Sequence, residues 1–276
     1  MTENLNDRVA LVTGATDGIG ELTAQRLAQA GAKVLVHGRR EEKVDAVLER
    51  IRADGGQAEG LVADLAAVEH VRGLARELTK ATDRLDILIN NAGVGDPRGP
   101  RRESDDGYEL HFAVNTLAPV LLTRLLADRL AATADRYGAA RVVMVASAAQ
   151  APIDFDDPQL TRDYDGMRAY SQSKLALVMA TIELAKALKP RGVTVNALHP
   201  GTLLDTKMVR EGFGNAMGPA EDGAEAEVYL ATAPELAGVT GAYFDRMDRA
   251  EPEAQARDAD ARQRLISLID RLTAER

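Results

Sequence analysis

The stretch that most limits the fold lies near the start. Residues 9–13 (VALVT) run straight into TGATDGIG, with glycines at 14, 18 and 20, and then into a helical pattern over residues 20–30. A strand that turns sharply into a helix needs positions without a Cβ. Gly14 can make the turn, Gly18 can let a pyrophosphate approach the backbone, and Gly20 can let the helix pack close to the sheet. The helix N-terminus then presents unpaired N–H groups and a positive dipole end to phosphate. The same spacing would also serve a tight turn with no ligand. Its place at the head of a βαβ unit favours cofactor binding.

The rest of the chain continues the alternation. Apolar strand-like runs are read at 33–37 (KVLVH), 58–62, 85–90 (LDILIN), 141–147 (RVVMVAS) and 194–199 (TVNALH), with a short last strand at 241–244. Helical patterns fall at 41–54, 68–82, 108–132 and 169–188, and a charged helical tail spans about 253–274. Strands apolar along their length and joined by helical crossovers indicate an α/β fold, a doubly wound parallel sheet with helices on both faces. No repeat or low-complexity linker interrupts the 276 residues, so a single domain over 1–276 is expected.

Composition excludes several classes. There is no cysteine, so disulfides, thiolate nucleophiles and cysteine metal sites are out. The four histidines, at 37, 70, 111 and 199, have no zinc spacing, and no metal is expected. A net charge of -9 argues against a nucleic-acid surface. No run reaches the roughly 18 apolar residues of a membrane span. The opening MTENLNDRVALVTG lacks a basic region leading into an apolar one. A cytoplasmic protein without membrane partners is expected.

The second strand ends in HGRR, where an NAD-binding chain would carry an acidic residue for the ribose 2′-hydroxyl. Gly38, Arg39 and Arg40 stand there instead. A guanidinium can grip a 2′-phosphate that a carboxylate would repel, which favours NADP. The alternative is that both arginines open a solvated helix. Asp64, past the third strand, can accept from an adenine amino group or cap the following helix.

The stretch YSQSK places Tyr170 and Lys174 one helical turn apart. Free tyrosine titrates near 10 and lysine near 10.4. A positive charge at about 4 Å favours a phenolate by on the order of 4 kcal/mol at an effective dielectric of 20, before solvation is counted. A phenol tuned downward in this way can protonate an alkoxide or deprotonate an alcohol. Ser147 ends the fifth strand, where open α/β sheets bind ligands, and its hydroxyl can orient a substrate oxygen. Asn115 puts an amide inside the helix at 108–132, which needs partners if buried. Asn90, in NNAG at the end of the fourth strand, is read as part of the cofactor wall.

Taken in order, TGATDGIG, Asp64-Leu65, NNAG (90–93), Asn115, Ser147, Tyr170-x-x-x-Lys174 and HPG (199–201) resemble the short-chain dehydrogenase/reductases over about residues 8–205. VLVHGRR, the helix YSQSKLALVMATIELAKAL and the tail GAYFDRMDRAEPEAQARDADARQRL are most similar to the retinol-dehydrogenase-like branch. The resemblance implies a Rossmann-type domain that uses NADP(H) on carbonyls and alcohols of bulky apolar molecules. It implies catalytic roles for Asn115, Ser147, Tyr170 and Lys174, with Asn115 holding a water that relays protons to Lys174. Cofactor contacts are implied at Gly14, Thr16, Asp17, Gly18, Ile19, Gly20, Arg39, Arg40, Asp64, Leu65, Asn91, Ala92, Gly93, Tyr170, Lys174, Pro200, Gly201 and Thr202. Two departures stand out. Asp17 occupies a position that is often basic in NADP-preferring members. Thr206 lies one residue later than the usual PGxxxT, so Thr202 competes with it as the nicotinamide-amide ligand. The resemblance also implies a homodimer through the helices at 108–132 and 169–188.

Other functions on this fold are a nucleotide-sugar epimerase or dehydratase, which usually shows GxxGxxG and a longer substrate domain, and a non-catalytic NADP-sensing regulator, which tends to lack the Tyr or Lys. Two segments are expected to form the substrate pocket. The first is 150–169, with Ala151, Pro152, Ile153, Phe155, Leu160 and Met167 as an apolar wall and the carboxylates facing solvent. The second is 203–218, read as a lid.

Overall fold

The computed structural model describes residues 4–274. The first three residues of the opening stretch that was read for a signal sequence lie outside it. The chain runs β1 (Val9–Val12), α1 (Gly18–Gln29), β2 (Lys33–Gly38), α2 (Glu41–Ala53), β3 (Gln57–Val62), α3 (Val68–Ala81) and β4 (Ile87–Asn90). It continues through α4 (Leu110–Phe112), a π-helical turn (Ala113–Leu117), α5 (Ala118–Leu125), α6 (Ala127–Tyr137), β5 (Ala140–Val145), α7 (Gly166–Leu188) and β6 (Val193–His199). A second π-helical turn (Val209–Phe213), α8 (Ala220–Thr232), β7 (Tyr243–Asp245), β8 (Asp248–Ala250) and α9 (Ala259–Thr273) complete it.

The described strands form one sheet in the order β3-β2-β1-β4-β5-β6-β7-β8. Every neighbouring pair is parallel except β7 with β8. The chain leaves β1 in one direction through β2 and β3, then returns to start β4 on the other side. The crevice outside the carboxyl ends of β1 and β4 is therefore the switch point where such sheets take ligands.

Alternation along each strand divides the core. Val9, Leu11, Leu88, Val142 and Met144 face a layer built from α3, α5, α6, α7 and α9. Ala10, Val12, Ile87, Ile89, Val143 and Val145 face α1, α2 and α8. Leu11 and Leu88 are fully buried, and truncating either to Ala should cost roughly 2–5 kcal/mol.

Two sequence expectations need correction. The helix read over 108–132 is not continuous: it passes through the π-helical turn at Ala113–Leu117 and bends by 52° between α5 and α6. Pro119 supplies the reason for the first break. It has no N–H to offer the carbonyl four residues back, which is that of Asn115. The short last strand falls at Tyr243–Asp245 and is joined by β8, whose sequence DRA carries no apolar alternation. The C-terminal helix packs on the α7 side of the sheet. Leu265, Leu268 and Ile269 of α9 join the core layer that holds α7. Arg262 bonds Glu183 at 2.6 Å, and Arg124 bonds Asp270 at 2.7 Å. Among the described residues no single helix is long and apolar enough to cross a membrane.

Candidate active site

The glycine turn is built as its sequence requires. Gly14 and Gly18 take φ of +66° and +55°, values that L side chains rarely adopt. A Cβ on Gly20 would lie 2.6 Å from the Gly14 carbonyl oxygen, so α1 can start this close to β1 only with glycine there. Asp17 precedes α1, but its side chain makes no capping bond to the first turn. The first N–H groups of α1 are thus available to an anion, which suits a pyrophosphate. His37 clamps the turn: its Nδ1 accepts from Gly14 N at 3.2 Å, and its Nε2 donates to the Ala63 carbonyl at 3.1 Å. Burial lowers its pKa to about 4, which keeps the ring neutral for this double role. Asn91 donates to the carbonyls of Thr13 and Gly14, and Ala92 N donates to the Thr13 hydroxyl, so β1 and β4 are tied where they open.

At the end of β2, Arg39 is exposed and has no partner among the described residues, whereas Arg40 sits at the N-cap of α2 and pairs with Glu42 at 3.3 Å. Lys43, which the sequence reading passed over, lies 3.5 Å from Asp17 and brings a positive charge back to the position where an acid departs from the usual pattern. Thr16 packs against Gly38, and Ile19 against Gly223 of α8. Asp64 does not cap α3. It accepts from Ala66 N at 3.0 Å, while the cap comes from Asp106, which accepts from Val68 N at 2.7 Å. The Leu65 side chain is buried in the core, leaving only its backbone for a cofactor. Asn90 is not a cofactor wall: its amide donates inward to Thr123 at 3.1 Å and toward the Met144 sulfur at 3.3 Å.

Tyr170 and Lys174 emerge from α7, which Asp165 caps by accepting from Arg168 N at 2.6 Å. Ser147 stands beside Tyr170, close enough that its hydroxyl acts to lower the tyrosine's pKa. The Ser147 hydroxyl accepts from Ala149 N at 3.1 Å, and its carbonyl takes hydrogen bonds from Gln150 and from Tyr243, at 2.9 and 3.0 Å. Tyr243 had no sequence signal, since it reaches Ser147 only through the pairing of β7 with β6. Lys174 Nζ donates to the Val145 carbonyl at 2.8 Å and lies 5.8 Å from the centre of the Tyr170 ring. A Cβ on Gly93 would stand 3.2 Å from Asn115 Oδ1 and 3.6 Å from Lys174 Nζ, so both polar groups converge on the same bare backbone.

The electrostatics differ from the sequence expectation. Burial raises the Tyr170 pKa, opposed only by the hydrogen bond with Ser147, and Lys174 does not hold it down. Lys174 is itself brought down to about 8 by burial, with the charge of Glu227 working the other way. The lysine spends its reach on Val145 rather than on the phenol. Asn115 is fixed by bonds on both sides of its turn. Its Oδ1 accepts from Val94 N at 2.8 Å, and its amide donates to the Val94 carbonyl and the Ser173 hydroxyl, both at 3.0 Å. Its main-chain carbonyl, which Pro119 leaves without an α-helical partner, can hold a water.

The segment 203–218 lies over this centre. Phe213 meets the Tyr170 ring edge-on with centroids 5.5 Å apart, and a Cβ on Gly95 would meet Met208 Sδ at 3.0 Å and Phe213 Cε2 at 3.1 Å. Thr206 stands above Gly18, 3.0 Å from the point a Cβ there would occupy. Thr202 is exposed and bonds His199 at 3.1 Å, so of the two threonines Thr206 is the one at the glycine turn. Pro200 is buried, and Gly201, at φ +141°, packs on Leu204. The apolar residues of 150–169 serve mainly as anchors. Ile153 joins the core and Leu160 is buried, Phe155 lies under Arg264 of α9, and Met167 is exposed. Asp157, expected to face solvent, is buried and accepts from Thr161 N and Arg162 N, both at 2.9 Å.

Known proteins resemble the chain in sequence and in fold. The family model for short chain dehydrogenases matches residues 8–215. Human retinol dehydrogenase 13 is 38% identical over 96% of this chain and 84% of its own length. Mouse polyprenol dehydrogenase is 40% identical over 96% and 84%. The Pseudomonas aeruginosa RhlG/NADP active-site complex superposes with a TM-score of 0.73 at 28% identity, covering 89% of this chain and 96% of RhlG.

Proposed function

The chain belongs to the short-chain dehydrogenase family, and on that premise we propose that it interconverts a ketone or aldehyde and the matching alcohol on a bulky, largely apolar molecule, using NADP(H). The observation that carries this reading is the pairing of Tyr170 with Ser147, and of Lys174 with Asn115 around Gly93, one residue past the Ala92 that packs on Gly14 of the glycine turn. A bound nicotinamide supplies hydride to the carbonyl carbon or takes it from the alcohol carbon.

The chain's own groups do the remaining work. Tyr170, kept protonated by burial, gives its proton to the substrate oxygen as the carbonyl is reduced. Ser147, held by Ala149 N, orients that oxygen. Lys174 would bond the nicotinamide ribose, and a water held by the Asn115 main-chain carbonyl would relay a proton to its amine. Oxidation needs the phenolate instead, and the positive charge of an oxidised nicotinamide would favour it.

NADP is preferred over NAD on the strength of Arg39, unpaired at the end of β2, with no carboxylate at that position. The bulky apolar substrate is supported by Phe213 and Met208 over the site and by relatives named for retinol and polyprenol. The test is NADPH oxidation by purified protein against a panel of ketones and aldehydes graded in size and polarity, repeated with Tyr170→Phe. The expected result is stoichiometric turnover on bulky apolar carbonyls, lost in the variant while NADPH still binds. Cofactor binding without turnover on any substrate would make the protein a sensor instead.

A further inference from the structure

Directly behind Tyr170 lies a buried polar cluster that no step above uses. Glu109 and His111 are 2% and 4% exposed. Burying a carboxylate and an imidazole is costly unless every polar atom finds a partner, and here each does. His111 Nε2 accepts from Asp96 N at 3.1 Å, which leaves Nδ1 as the protonated nitrogen, donating to Glu109 Oε1 at 2.8 Å. The Tyr164 hydroxyl donates to the same oxygen at 3.1 Å. Glu109 Oε2 accepts from Phe112 N at 2.8 Å. Burial alone would raise the Glu109 pKa, but the bonds from His111 and Phe112 outweigh it and keep the carboxylate ionised.

The partners come from different parts of the site. Phe112 ends α4 and leads directly into the π-helical turn that carries Asn115. Asp96 belongs to the loop after β4, and α7 begins on that same loop. A Cβ on Gly166 would lie 2.9 Å from the Asp96 carbonyl oxygen and 2.8 Å from that of Pro97. Tyr164 closes the long connection from Ser147, six positions before Tyr170, and Gln159 fastens it a second time by accepting from Glu109 N at 2.7 Å. The His111 ring then meets the Tyr170 ring edge-on, with centroids 6.1 Å apart and planes at 84°. With Phe213 in a second edge contact, the phenol is held between two rings.

We propose that Glu109, His111 and Tyr164 are positioning residues: one buried carboxylate locks the 147–170 connection, the Asn115 turn and the Tyr170 ring into a single geometry for proton transfer. This rests on Tyr170 being the acid of the reaction. The long connection is then a buttress for the catalytic helix, in addition to any contact it makes with substrate.

Tyr164→Phe removes one hydroxyl and keeps the ring; Glu109→Gln removes the charge at nearly constant volume. Each is compared with the parent in kcat and KM for one turned-over carbonyl, in NADPH Kd, and in amide hydrogen exchange with NADPH bound. A displaced proton donor can cost up to about a hundredfold in rate. The expected result is kcat lowered by about tenfold or more, with NADPH Kd essentially unchanged. Faster exchange is expected together in 94–103, 110–117 and 159–169. Unchanged kcat in a folded Tyr164→Phe protein would overturn the proposal. So would parallel loss of kcat and NADPH affinity, which marks a merely structural cluster, or exchange that rises only beside the substitution. If Glu109→Gln does not fold, Tyr164→Phe decides alone. If the parent turns over no carbonyl, the proposed function falls, and the exchange pattern still decides whether the cluster couples these segments.

Discussion

Glu227 offers a measurement in which stability and pH report on one buried group. It sits on α8, fully buried against α1. Its Oε2 accepts from the Thr23 hydroxyl at 2.8 Å, and its Oε1 has no partner. Burial pushes its pKa from 4.5 up to about 8, against the Thr23 bond and the Lys174 charge, which both act to lower it. A folded pKa above the unfolded one means that the native state holds a proton the unfolded chain has released. Stability is then highest below the unfolded pKa and falls as pH rises toward 8. Each pH unit across that window is worth about 1.4 kcal/mol. The loss is therefore roughly 3 kcal/mol at pH 7 and roughly 5 kcal/mol above pH 8. Glu227→Gln cannot ionise and can still accept from Thr23. Urea unfolding of parent and variant between pH 5.5 and 8.5 should show two curves that separate as pH rises, the variant gaining relative to the parent and the gap levelling off near pH 8. Parallel curves would refute the reasoning, because they would mean that Glu227 ionises in the native state as easily as in the unfolded one.

Further predictions follow from the site. Arg39→Asp should move the preference from NADPH toward NADH, read as the ratio of kcat/KM for the two; an unchanged ratio would assign the phosphate to Lys43 or another group. Gly212→Ala would set a Cβ 2.7 Å from the Gly95 carbonyl oxygen, lifting the segment over Tyr170; KM for cofactor should rise and trypsin should cut faster at Lys207 and Arg210, whereas unaltered KM and cleavage would mean that the segment is not seated there. Leu265→Asp should cost roughly 2–5 kcal/mol in lost packing alone and peel α9 from α7. The uncovered face should then raise the mass seen by light scattering, and a variant of unchanged mass would show that this face does not self-associate.

What the sequence determined by itself lies in short-range requirements. Alternating apolar strands and helical crossovers dictated the doubly wound sheet, because periodicity within a few residues sets which faces must be buried. Glycines at 14, 18 and 20 dictated the turn, because two of those positions take positive φ and the third admits no Cβ. The Tyr170-x-x-x-Lys174 spacing put both groups on one helix face before any contact was known. Pro119 also announced the break beside Asn115, since a missing N–H four residues on is a local fact, although the surrounding helical pattern masked it.

Tertiary structure decided what those groups experience. Tyr170 is raised rather than lowered, because burial acts on it more strongly than a lysine that bonds Val145. Asn90 turned from a cofactor wall into a core amide, because the side of the strand it occupies faces Thr123 and Met144. The Glu109–Tyr164 bond joins residues 55 apart, and the Thr23–Glu227 bond residues 204 apart. No window of sequence contains such pairs. Desolvation and hydrogen bonding depend on which atoms arrive from elsewhere in the chain, and only the folded packing of α1 on α8, and of the 147–170 connection on α4, brings them together.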